Sequence, residues 1–95
     1  MKRISALVVG LGLVVAACGG LTSQDREVLA RVEGRWMCDV QRYTFEDVAD
    51  IEAELAARVV AAGYELADYE TFKAVLGEDP ELRAQVRGVY EEYCA

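Results

Sequence analysis

From residue 23 onward, apolar positions recur every three or four residues, and no stretch alternates apolar with polar residues long enough for a strand. The pattern predicts an all-α fold, a small bundle of three to four short helices. Leu29, Val32, Trp36 and Val40 mark the inward stripe of a first helix, which starts at a Thr22 or Ser23 cap with Asp25 near the positive end of the helix dipole. Gly34 falls inside that helix, where glycine costs about 1 kcal/mol relative to alanine. A second helix is expected to open on a capping box of Thr44 and Asp47, with Tyr43 stapled onto Val48. Its apolar face is Phe45, Val48, Ile51, Leu55, Val59 and Ala62, and Gly63 supplies the left-handed residue that stops it.

Opposite that face lie Glu46, Asp50 and Glu54, with Arg58 four residues beyond Glu54 in the favourable order for an ion pair. A third helix, Leu66 to Leu76, puts Tyr69, Phe72, Val75 and Leu76 on one side and ends at Gly77. The fourth begins at Asp79-Pro80, an aspartate cap followed by proline at the first helical position. Leu82, Val86, Val89, Tyr90 and Tyr93 carry its inward side almost to Cys94.

The first twenty residues follow a different pattern. Lys2 and Arg3 precede an uncharged apolar stretch, Ile4 to Val15, and the small residues Ala16 and Ala17 follow it. This order reads as an N-terminal signal helix rather than a membrane span, which needs ~20 apolar residues. Val15-Ala16-Ala17-Cys18 closely resembles the lipobox of bacterial lipoproteins, in which an aliphatic residue and two small residues precede a cysteine. The resemblance implies that Cys18 carries a diacylglycerol on sulfur and becomes the first residue after cleavage, often with a further acyl chain on its amine. One acyl chain alone holds a membrane only reversibly, so the several chains matter to the anchor. The organisation expected is a lipoprotein signal peptide over 1–17, a lipidated tether over 18–22 and a small helical domain over 23–95. The resemblance also implies export, with the lipid holding the domain to the outer face of the cytoplasmic membrane or to the outer membrane.

With Cys18 given to lipid, Cys38 and Cys94 remain. An exported chain with a small core favours their pairing as a disulfide, worth roughly 4 kcal/mol for a loop of this length. The sequence has no histidine and no second pair of thiols, so no metal is expected. Charge narrows the partners. The chain has 10 Lys+Arg against 17 Asp+Glu, and removal of Lys2 and Arg3 with the signal leaves eight basic side chains and a formal charge of −9. Nucleic acid, whose phosphates demand clustered basic residues, is not an expected partner.

Candidate chemistry is sparse. Ser5 belongs to the signal and Ser23 to the start of the first helix, and there is no glycine-rich phosphate loop. Asp47, Asp50 and Glu54 lie on a wet helix face, where carboxylate pKa values are not driven apart as acid and base catalysis requires. No cofactor is called for. The expectation is a non-catalytic interaction or structural module, with the edge Arg35, Trp36 and Met37 beside Cys38 as the candidate partner-binding residues, since all three types are enriched in interfaces. The other aromatics, Tyr43, Tyr64, Tyr69, Tyr90 and Tyr93, are expected mainly to pack the bundle. The alternative is a small-ligand-binding or enzymatic helical domain. IEAELAAR, Ile51 to Arg58, is similar to a helix of the all-helical chorismate mutases, some of which are exported. That resemblance implies a dicarboxylate clamped by several cationic side chains, of which Arg58 matches here, and Lys73 is the one lysine beyond the signal.

Overall fold

The computed structural model describes residues 20–95. The signal segment and the lipid-attachment residue Cys18 lie outside the described residues. Four helices make up the architecture: α1 (Ser23–Arg42), α2 (Val48–Ala61), α3 (Leu66–Leu76) and α4 (Pro80–Cys94). Among the described residues there is no strand, and no helix is long and apolar enough to cross a membrane.

Local chemistry sets most of the boundaries. Thr22 caps α1 by accepting from the Asp25 N–H at 3.0 Å, while the Asp25 carboxylate accepts from the Thr22 N–H at the same distance, which makes a reciprocal box. Asp79 caps α4 by accepting from the Glu81 and Leu82 N–H groups, with Pro80 at the first helical position. Gly63 adopts a φ of 95°, the left-handed turn that ends α2. Gly77 ends α3 without such a turn, at a φ of −65°. There Arg83 donates to the last carbonyls, Leu76 and Gly77, both at 3.0 Å.

The start of α2 departs from the sequence pattern. Asp47, not Thr44, is the cap, accepting from the Asp50 N–H at 3.1 Å. Thr44 to Glu46 lie outside the helix, and Tyr43 closes α1 by donating its N–H to the Asp39 carbonyl. Aspartate is the better capping residue, and Phe45 turns back to lie against Trp36, with ring centroids 6.1 Å apart. Tyr43 and Val48 are exposed, so no staple joins them.

The long helix α1 organises the rest. α4 runs parallel to it, with the starts of both helices around a shared surface cleft and Cys38 bonded to Cys94 at the far end, Cα atoms 5.7 Å apart. Halfway along, Gly34 accounts for its own place in a helix. A β-carbon there would lie 2.6 Å from Val89 Cγ1 and 2.9 Å from the Val86 carbonyl oxygen, so glycine alone allows α1 and α4 this approach. α2 returns antiparallel to α1, from Phe45 beside Trp36 to Tyr64 bonded to Asp25. Parallel α1 and α4 need this return, which α2 supplies. The core gathers Leu29 and Ala30 of α1, Val59 of α2, Tyr69 and Phe72 of α3, and Leu82 and Val86 of α4.

Candidate functional site

Two carboxylates on α1 are buried, Glu33 at 5 % and Asp39 at 2 % exposure, and a charge so placed must be paired to be tolerated. Asp39 accepts from Arg58 Nη1 at 2.6 Å and from the Tyr93 hydroxyl, which lies 3.1 and 3.0 Å from its two oxygens. Arg58 also reaches Glu54 at 3.2 Å, and its guanidinium lies 5.1 Å from the centre of the Trp36 ring. Burial works against the Arg58 charge, but the hydrogen bonds to Asp39 and Glu54 outweigh it and hold the guanidinium pKa above its ordinary value. The hydrogen bond to Asp39 likewise raises the Tyr93 phenol. Three helices are thereby joined beside the disulfide, through the residue after Cys38 and the residue before Cys94.

Glu33 is satisfied separately. It accepts from the Tyr69 hydroxyl and from Lys73 Nζ, the latter at 2.7 Å, both on α3. Burial, followed by the Glu33 carboxylate, pushes the Tyr69 phenol upward. Arg58 and Lys73 thus serve different carboxylates through different helices, and the structure does not bring them together in one clamp.

An open groove of about 450 Å3 runs beside the Asp39 network. Val28, Arg31, Val32, Arg35 and Asp39 line its α1 wall, at intervals of one helical face. Arg58 and Ala61 of α2, with Ala62 at its end, form the facing wall, and Tyr43 and Tyr93 complete the lining. Arg35 places its guanidinium 5.4 Å from the Tyr93 ring centre, and Arg42 comes within 6.0 Å of the same ring while donating to the Cys94 carbonyl. The groove combines apolar side chains, aromatic rings and a basic rim.

The structure separates Arg35, Trp36 and Met37, because successive helical residues point about 100° apart. Arg35 belongs to the groove, and Trp36 is buried at 7 % exposure between Arg58 and Phe45. Met37 lies on another face, in a cleft of about 530 Å3 with Glu33, Leu76, Val86 and Tyr90. Asp47 and Asp50 are exposed and serve the start of α2.

Sequence reasoning missed the two buried acids and the groove. A signal was present for Glu33, which falls four residues after Leu29 and three before Trp36, on the apolar stripe itself. Asp39 stands between Cys38 and Val40, where periodicity says less. Comparison with family models, curated proteins and solved structures finds no match to the chain.

Proposed function

We propose that this chain is a lipid-anchored protein of the bacterial envelope whose small helical domain acts by contact with a partner and not by catalysis. The lipobox pattern ending at Cys18 supports the anchor, and the groove supports the mode of action. Its deepest ionisable groups, Asp39 and Arg58, are already bonded to each other, and Tyr93 is bonded to Asp39. They stiffen the wall and leave no free acid or base at its floor. Arg31, Arg35 and Tyr43, which are exposed at the rim, supply the residue types on which contact energy concentrates. That combination, a stiff interior under a basic and aromatic rim, is the observation that carries the reading.

The test is crosslinking in intact cells, with a photoreactive residue at Tyr43 or, as a control, at Glu70 on α3. Adducts are expected from Tyr43 alone, and Arg35→Glu should remove them while circular dichroism stays helical. Turnover of a small metabolite by the purified protein, lost in Arg58 or Lys73 variants that keep their fold, would replace this reading with an enzymatic one.

A further inference from the structure

We infer that the groove between α1 and α2 receives an extended acidic peptide segment of a partner protein, bound through Arg31 and Arg35; the inference rests on the contact-module reading above.

Beyond the signal segment the chain has eight basic side chains against seventeen acidic ones, yet three arginines and a single acid, Asp39, line this groove. Arg58 neutralises that acid at 2.6 Å. Among the described residues Arg35 has no carboxylate partner, and Arg31 has only Glu27, at 3.8 Å with both side chains about half exposed, a pairing of little worth in water. Two guanidinium groups therefore keep most of their donors free in a basic groove of an acidic molecule. An anion is the complementary ligand, and guanidinium matches carboxylate in a bidentate manner.

Shape selects among anions. The α1 lining runs from Val28 to Asp39, with Tyr43 one turn further, so the groove extends over roughly 20 Å at ~1.5 Å per residue. A helix ~10 Å across, half sunk over that length, would occupy about 800 Å3, nearly twice what the groove holds. An extended strand half sunk in it fits, and roughly six residues span it at ~3.3 Å each. The spacing also agrees. Arg31 and Arg35 stand one turn apart on the same face, ~6 Å between them, and alternate residues of an extended strand lie ~6.6 Å apart. Carboxylates at alternate positions can meet both arginines while an intervening apolar side chain lies toward Val32 and Ala62 or the Tyr93 ring.

The probe is a fluorescent heptapeptide in which aspartate alternates with valine around a central phenylalanine, titrated by anisotropy into the full chain in neutral detergent. Saturable binding with Kd below about 1 mM is expected, weakening with salt as exposed charge pairs do. Arg35→Glu should weaken it at least tenfold, and Arg87→Glu, which changes the net charge equally but lies on another face, should do so by less than threefold. The proposal is overturned by absence of saturation, by equal binding of the analogue with asparagine for aspartate, or by equal effects of the two variants. It is also overturned if acetyl-aspartate alone binds as tightly as the peptide, which would make the groove a small-anion site. Peptide failure with the Tyr43 crosslinks intact removes this inference and leaves the contact module standing. Loss of the crosslinks as well removes both.

Discussion

Gly34 and Gly88 occupy the interiors of two packed helices, and the same substitution should act on them with opposite sign. A methyl group at Gly88 meets nothing within 4 Å, so Gly88→Ala is expected to stabilise the domain by about 0.5–1 kcal/mol through helix propensity. At Gly34 the same methyl group collides with Val89 and with the Val86 backbone, and overpacking of this kind costs ~1–3 kcal/mol, more than the propensity gained. Denaturant midpoints of the two variants check the pair, and stabilisation by Gly34→Ala would mean that α1 and α4 are further apart than described. Composition alone exposes the glycine but not its neighbour, since Val89 is 55 residues away in the chain. The buried acids show the same limit. Glu33 can be suspected from its position on an apolar stripe, but Tyr69 and Lys73, which make it tolerable, stand 36 and 40 residues further on.

Helices were legible where capping chemistry is local, and less so where two caps compete. Asp79-Pro80 and the Thr22–Asp25 box start α4 and α1 where the pattern places them, and α3 spans Leu66–Leu76 as its apolar spacing predicts. For α2, Thr44 and Asp47 both satisfy the cap pattern, and the stronger capping of aspartate together with the packing of Phe45 on Trp36 decides between them. The links between elements carry a pH signature. Burial, then the hydrogen bond to Asp25, pushes the Tyr64 phenol up to about 12, and Tyr69 is raised for the corresponding reasons at Glu33. Free tyrosine titrates near ~10, so the stability these neutral phenols provide is full below that pH. It falls as the unfolded chain begins to ionise, and is lost as pH rises through the folded values. Denaturant midpoints should therefore decline from about pH 10 upward, and the loss should be smaller in Tyr64→Phe. A midpoint unchanged to about pH 12 would contradict the arrangement.

In the whole molecule, the pairing of Cys38 with Cys94 ties the ends of two parallel helices across 56 residues of sequence. Reduction should cost ~2–5 kcal/mol, and for a domain of this size even the lower figure lowers Tm by about 10 °C. It should also loosen Tyr93, the neighbour of Cys94, from Asp39 and from the groove wall, so peptide binding should weaken with it. A Tm indifferent to reductant would show that helix packing alone holds α4 in place. The bundle and its closure could be read from periodicity and cysteine arithmetic, whereas the groove could not, because it exists only where α2 folds back along α1. α1 begins at Ser23, only a few residues beyond Cys18, so a lipid on that cysteine would hold the start of α1 close to the membrane. The disulfide would then lie at the far end of the bundle from the anchor, roughly 23 Å along α1 at ~1.5 Å per residue. The anchor is the premise of the envelope role, and mass spectrometry of the amino-terminal peptide from membrane-extracted protein tests it directly. The expected result is a peptide beginning at Cys18 with a diacylglycerol-sized addition, absent in Cys18→Ala; an unmodified Cys18, or a membrane form that still begins at Met1, would contradict a lipid anchor.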